Sequence, residues 1–175
     1  MQAAGIFGVD RGIYDSLCGG DRLGGSEGRW VWEECFDSRC AFSSLVGGDT
    51  TLTTTGTGGV SMFALKLARA TGLKVVLSSS SDAKLKDMRE RFSSPPLLTV
   101  NYATNPDWHE DVLKLTEGAG VDLVIENGGT SSLVKSLKCT RRGGTISQVG
   151  YLGKQDLNAL AELLPLLIDR RVNLR

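Results

Sequence analysis

Strand-like and helix-like segments alternate from residue 51 to the end of the 175-residue chain, and no other feature limits the fold as strongly. The strand-like segments are short and rich in β-branched or aliphatic residues. The segments between them repeat apolar residues at helical spacing. Six strands are predicted in this way: TLTTT (51–55), KVVLS (74–78), LLTVNY (97–102), VDLVIE (121–126), GTISQVG (144–150) and VNLR (172–175).

The alternation of strands and helices predicts the α/β class. Strands joined by helices form a parallel sheet with right-handed crossovers, and the helices cover both faces of that sheet. VDLVIE has the apolar character of a strand that is buried on both faces. Six such strands predict a doubly wound parallel sheet of the Rossmann type.

Capping and breaking residues mark the ends of the predicted helices. Gly72 is predicted to end the first helix, and Ser80 or Ser81 to cap the second. Asn105-Pro106-Asp107 has the order of a helix start, with asparagine as the cap and proline in the first turn. Pro165 is expected to kink or split the last, leucine-rich helix.

The N-terminal segment differs in composition from the rest of the chain. Residues 1–50 hold ten of the 22 glycines, no lysine and a net charge of about −4, whereas the remainder carries about +4. Apart from a short WVWEECF stretch, this region lacks a sustained period of 2 or 3.6 residues. We therefore expect an irregular glycine-rich segment over 1–46, without an assigned fold, and a dinucleotide-binding domain over 47–175.

Composition excludes several classes of partner and site. The formal net charge is zero and no apolar run reaches the length of a membrane span, so neither nucleic acid nor a membrane is expected. The N-terminus lacks the features of a signal peptide, which favours the cytoplasm and reduced thiols. Cys18, Cys35, Cys40 and Cys139 form no CxxC pair, and His109 is the one histidine, so no zinc site is predicted.

The glycine-rich turn after the first strand is the strongest candidate for a binding site. Gly56-Thr57-Gly58-Gly59-Val60-Ser61 follows the GxGxxG pattern within a strand–turn–helix unit, except that serine replaces the third glycine. Gly56 permits the tight turn, Gly58 permits close approach of a pyrophosphate, and the helix beginning at Gly59 or Val60 favours negative charge. Ser61 takes some space but offers a hydroxyl to a phosphate. The alternative is a turn with a purely structural role.

Side chains after the second strand bear on which dinucleotide binds. Ser78, Ser79 and Ser80 offer hydroxyl donors and Lys84 offers positive charge, a set that suits the 2′-phosphate of NADP. Asp82 favours NAD instead if the strand extends far enough to place it on the ribose. The alternative interpretation of Asp82 is an acidic residue in the first turn of the second helix, without contact to the cofactor. The residues favour NADP over NAD.

Four stretches of the sequence, taken together, resemble the cofactor domain of the medium-chain dehydrogenase/reductase superfamily, in its zinc-type alcohol dehydrogenase and quinone oxidoreductase-like branch. They are GGDTTLTTTGTGGVSMFALKLARATGLKVVLSSSSDAKL, VNY, GVDLVIENGG and RRGGTISQVGYLG. The resemblance covers roughly 47–175 and implies hydride transfer to or from a small-molecule substrate. It implies that Lys84 and Tyr102 hold the 2′-phosphate side of NADP. It further implies a homodimer paired through VNLR, and cofactor contacts from loops at Gly128, Gly129, Gly150 and Tyr151. The alternative for Tyr102 is packing at a strand end.

The chain also departs from that family. Pro95-Pro96 stands in an unusual approach to the third strand, and 1–46 resembles neither the family's zinc motif nor its four-cysteine lobe. No catalytic residue is predicted: His109 is expected on a solvated helix face and Cys139 in the core. Asn127 either contacts cofactor or turns the chain, and the pairs Arg141-Arg142 and Arg170-Arg171 are expected to be solvated.

Three interpretations of the sequence stay open. The first is an NADP-dependent oxidoreductase in which the cofactor carries the hydride. The second is a non-catalytic NADP(H)-binding module. The third is a truncated, inactive relative. Fold alone does not separate them.

Overall fold

A computed structural model describes residues 49–175 apart from Thr55 and Lys154. The segment predicted over 1–46, with Cys18, Cys35 and Cys40, lies outside these residues. The described part contains a six-stranded parallel sheet in the order β3-β2-β1-β4-β5-β6. Its strands are β1 (Thr50–Thr53), β2 (Lys74–Ser79), β3 (Leu98–Asn101), β4 (Val121–Glu126), β5 (Thr140–Gln148) and β6 (Asn173–Leu174). The doubly wound Rossmann sheet predicted from the sequence is confirmed.

Five helices connect the strands in the described part of the chain: α1 (Gly59–Ala70), α2 (Asp82–Arg91), α3 (Trp108–Leu115), α4 (Thr130–Cys139) and α5 (Leu157–Arg170). Val75, Leu77 and Leu123 face α1 and α2 within one apolar cluster. Val76 and Val124 face the opposite way, into a second cluster with α3, α4 and α5. The alternating directions of neighbouring strand residues thus divide the core into two layers. No helix among the described residues is long and apolar enough to cross a membrane.

Several local predictions were wrong or incomplete. Ser81, rather than Ser80, caps α2 by accepting a bond from the amide of Lys84. Asn105 does not cap α3, which begins after Asp107. Its side-chain oxygen instead accepts from the amide of Asp107, a local turn that competes with the helix start.

The last helix and the strand before it also differ from expectation. Pro165 lies at an exposed position inside α5, which continues through it as one helix and is not split. β5 begins at Thr140 rather than residue 144. Its register with β4 shifts between Val121 and Leu123, so the Arg141–Gly144 segment forms an irregularity within the strand.

The strand order reverses between β1 and β4, which positions the candidate site. Strands on either side of this point send their connections to opposite faces of the sheet. The crevice at the carboxyl ends of such strands is where ligands bind in open α/β sheets. The loops after β1, β2, β4 and β5 therefore define the region to search.

Candidate functional site

The turn after β1 combines a required glycine with open space. Gly56 is buried with φ of 80°, and a Cβ built on it lies 3.3 Å from Ser79 Oγ of β2, so both its backbone conformation and its packing favour glycine. Gly58 caps α1 in an extended conformation. A Cβ added at Gly58 or Gly59 meets no atom within 4 Å. The backbone at the start of α1 is therefore not covered on its side-chain side, and the free amides of a helix start favour an anion.

The two residues after this turn have internal roles. Ser61 is buried, and its hydroxyl donates to the carbonyl oxygen of Thr54 at 2.9 Å. The expectation that Ser61 offers its hydroxyl to a phosphate is therefore wrong, because the one proton of that hydroxyl is used to fasten α1 to β1. Val60 packs against the apolar cluster under α1, so only its backbone faces the turn.

The ends of β2 and β3 bring together the residues predicted to hold the 2′-phosphate. Ser79 and Asn101 are partners in the sheet, and the amide of Tyr102 donates to the Ser79 carbonyl at 3.1 Å. Ser80 and Lys84 are exposed beside them, and Tyr102 is also exposed. Ser78 is not available as a donor there, because it is buried and bonds to the carbonyl of Thr53.

The loops after β4 and β5 run side by side and pair through their backbones. The amide of Val149 donates to Glu126, that of Leu152 to Asn127, and that of Gly153 to Gly128, at 2.9, 3.0 and 2.6 Å. These bonds prolong the pairing of the two strands beyond their ends. The sequence prediction that both loops reach the carboxyl edge together agrees with this arrangement.

Glycines in these loops are needed for close packing. A Cβ on Gly128 lies 2.7 Å from Ser132 Cβ, and one on Gly150 overlaps Asn127 Oδ1. The Tyr151 hydroxyl accepts from the amide of Thr130 at 3.1 Å and so caps α4. Tyr151 is nevertheless 46% exposed.

A buried carboxyl group at the end of β4 is the feature of this edge that the sequence prediction missed. Glu126 is 0% exposed. Its Oε1 accepts from the Gly128 amide at 2.6 Å and from Thr54 Oγ1 at 3.1 Å, and its Oε2 accepts from the hydroxyls of Ser132 and Ser136 at 3.2 and 2.5 Å. Burial raises the pKa of Glu126, while these four donors act in the opposite direction. The carboxyl group thus joins the end of β1, the loop after β4 and helix α4.

The remaining candidates lie apart from this chemistry. Cys139 is fully buried, as predicted, and burial raises the pKa of its thiol to about 12. His109 is only partly exposed rather than fully solvated, and burial, followed by the nearby charge of Lys138, lowers its pKa. Arg141, Arg142 and Arg171 are exposed as predicted. Arg170 is half-buried and donates to the carbonyl of Thr140, so the prediction for it was wrong.

A cavity of about 340 Å³ lies between β3 and α3, and Asn101 at the end of β3 is part of its lining. Three of its polar side chains already bind one another, since Asp111 accepts from Asn105 at 2.5 Å and from Lys114 at 2.9 Å. Both contacts lower the pKa of Asp111. Among residues 49–175, with 55 and 154 set aside, no three His, Cys, Asp or Glu side chains are grouped to hold a metal ion.

Several known proteins are similar in sequence to the part of the chain that forms the sheet and its helices. The model of a family described as zinc-binding dehydrogenase matches residues 59–174. A zinc-type alcohol dehydrogenase-like protein of Schizosaccharomyces pombe is 37% identical over 121 residues, which make up 69% of this chain and 34% of that protein. A phenolphthiocerol/phthiocerol polyketide synthase polypeptide of Mycobacterium tuberculosis is 31% identical over 126 residues, 72% of this chain and 5% of that protein.

Solved structures of dehydrogenases are also similar to this chain. A crystal structure of an NAD-dependent alcohol dehydrogenase superposes with a TM-score of 0.66 at 26% identity, over 81% of this chain and 40% of that one. The chain therefore spans about a third of the first curated relative and two fifths of this structure. What is shared is the α/β sheet with its connecting helices and loops.

Proposed function

We propose that this chain, which belongs to the zinc-binding dehydrogenase family, binds NADP(H) at the carboxyl edge of its sheet and serves an oxidoreductase reaction. Family membership confirms the resemblance to medium-chain dehydrogenases predicted from the sequence. Oxidoreductases are among the matched relatives. Preference for NADP, the substrate and the activity of the whole protein are the proposed parts.

The observation that carries the proposal is the open space before α1. Gly58 and Gly59 leave that space free of side-chain atoms, and Gly56 makes the turn that exposes the helix start. The pyrophosphate of the dinucleotide would accept bonds from the amides of Gly58, Gly59 and Val60, favoured by the dipole of the helix. The proposal is supported by the general rule that ligands of open α/β sheets bind at the reversal of strand order.

The adenosine end of the dinucleotide would lie across the ends of β2 and β3. Ser80, which is exposed, would donate a hydroxyl bond to the 2′-phosphate, and Lys84 would provide the compensating charge. Ser79 is 3% exposed and its Oγ accepts from the Ser81 amide at 3.3 Å, so its predicted bond to the phosphate would have to use the hydroxyl proton at the rim of the site. Tyr102 is exposed beside them, with its backbone bonded to Ser79. A phosphate is bound most strongly by charged donors, so Lys84 is expected to contribute most to the preference for NADP.

The nicotinamide end would lie against the paired loops after β4 and β5. Gly128 and Gly150 allow these loops to pack closely, and Tyr151 covers their outer edge. The bound nicotinamide supplies the hydride chemistry, and the described residues position it. No reaction step is assigned to zinc, because the described residues do not group a ligand set.

We also propose that a second copy pairs with β6. This two-residue strand is the last in the sheet order, and both of its residues are exposed. An edge strand offers backbone donors and acceptors to another strand. Pairing there would leave the carboxyl edge of the sheet open to the dinucleotide.

Removing Lys84 should weaken NADPH binding selectively. We expect Lys84→Ala to raise the dissociation constant for NADPH about tenfold and that for NADH by about twofold or less, because only NADPH carries the 2′-phosphate. Isothermal titration calorimetry with both nucleotides measures this. The matched control is Lys86→Ala, which removes an exposed lysine from the same helix. Absence of heat with either nucleotide, from a folded wild-type chain, would overturn the proposed function.

A further inference from the structure

The acidic side chain that follows β2 is held by a residue of the neighbouring strand. Asp82, the first residue of α2, accepts a hydrogen bond on Oδ1 from Asn101 Nδ2 at 2.8 Å. Asn101 is the last residue of β3 and the sheet partner of Ser79. The contact therefore lies directly beside the residues proposed to bind the 2′-phosphate.

The Asn101 amide is oriented by its own backbone surroundings. Its Oδ1 accepts from the amide of Ala103 at 2.9 Å and from that of Thr104 at 3.4 Å. Because the oxygen faces two N–H donors, the NH₂ group is left to face Asp82. A donor in this fixed position matches a carboxylate, which only accepts hydrogen bonds.

The side of β2 on which the carboxylate is held matters for cofactor choice. β2 lies between β1 and β3 in the sheet, so the glycine turn after β1 and Asn101 are on opposite sides of it. Gly56 packs against Ser79 from the β1 side, whereas Asn101 draws Asp82 toward the β3 side. Between them, Ser79 ends β2 and Ser80 follows it, and neither side chain is acidic.

We propose that Asn101 is a specificity-determining residue, which keeps the Asp82 carboxylate away from the ribose and thereby favours NADPH over NADH. A free carboxylate at the end of β2 accepts bonds from the ribose diol of NADH and repels the 2′-phosphate of NADPH. Anchored on β3, the same carboxylate does neither. This inference deepens the proposed function and rests on it.

The test measures the ratio of the dissociation constants for NADH and NADPH in four versions of the full chain: wild type, Asn101→Ser, Asp82→Asn and the double variant. Serine keeps a short acceptor for the turn but does not reach Asp82. We expect Asn101→Ser to lower the ratio about tenfold, because the freed carboxylate approaches the 2′-phosphate. In the Asp82→Asn background the same change should move the ratio by about twofold or less, since no charge is released.

The possible outcomes separate this inference from the proposed function. A wild-type chain that binds neither nucleotide, or prefers NADH, overturns both. Wild-type preference for NADPH with a ratio that Asn101→Ser leaves unchanged, or changes equally in both backgrounds, overturns the inference alone. If Asn101→Ser does not fold, Asp82→Asn by itself decides: the ratio should stay within about twofold of wild type, whereas loss of NADH binding would show that Asp82 already contacts the ribose.

Discussion

Replacing Glu126 with leucine is expected to lower the free energy of unfolding by about 3–4 kcal/mol, since it leaves several buried donors without an acceptor. The Gly128 amide and the hydroxyls of Ser132 and Ser136 all direct their protons at this carboxyl group. Leucine fills the volume but accepts none of these bonds. Urea denaturation followed by circular dichroism measures the loss.

Glu126→Gln is the matched control, because it keeps the shape and most of the bonds. Its oxygen can still accept from Gly128, and its NH₂ group can donate to the hydroxyl oxygens of the two serines, which also accept. We expect a cost of about 1 kcal/mol or less. A leucine variant as stable as the glutamine variant would show that the hydrogen-bond network does not support the carboxyl edge of the sheet.

The difference in the free energy of unfolding between wild type and Glu126→Gln should change with pH. Burial raises the pKa of Glu126 in the folded chain above its ordinary value of 4.5. The folded state therefore holds this proton more tightly than the unfolded state, so the carboxyl's contribution to stability falls as pH rises from 4.5 through the raised pKa. Glutamine does not titrate. We expect the stability of Glu126→Gln relative to wild type to increase as pH rises above 4.5, and a constant difference would contradict the raised pKa.

The fold followed from the sequence because its signals are local and repeated. Each strand is an apolar or β-branched run, and each connecting helix carries its own period and end signals, as in VDLVIE and the helix that Gly72 ends. Parallel strands with right-handed crossovers then leave few arrangements. Prediction of the doubly wound sheet therefore needed no knowledge of individual contacts.

The parts that were missed depend on contacts between distant residues. Glu126 ends an apolar strand and resembles the first polar residue of a loop, unless Thr54 and the serines at 132 and 136 are known to converge on it. The spacing of those two serines, four residues apart on one helix face, was the available signal. Ser61 likewise seemed free for a phosphate because the motif alone does not show that the Thr54 carbonyl accepts its proton.

Gly58→Asp is expected to weaken the binding of both NADPH and NADH by at least about 100-fold, since the new carboxylate occupies the space of the pyrophosphate and repels it. The fold should tolerate the change. Gly58 has φ of −70°, an added Cβ meets no atom within 4 Å, and aspartate is among the favoured residues at a helix N-cap. Calorimetric titration and a thermal unfolding curve on the same sample test both statements.

Ala119→Asp is the control that separates the position of the charge from the charge itself. Residue 119 is exposed and precedes β4, so it adds the same carboxylate at the opposite, amino edge of the sheet. We expect it to leave both affinities within about twofold, because exposed charges separated by more than a Debye length are screened. If Gly58→Asp weakens the affinities for NADPH and NADH equally, the pyrophosphate is assigned to the glycine turn. If Lys84→Ala weakens the affinity for NADPH alone, the 2′-phosphate is assigned to the end of β2. Retained binding in Gly58→Asp would mean that the open space before α1 is a feature of the turn alone.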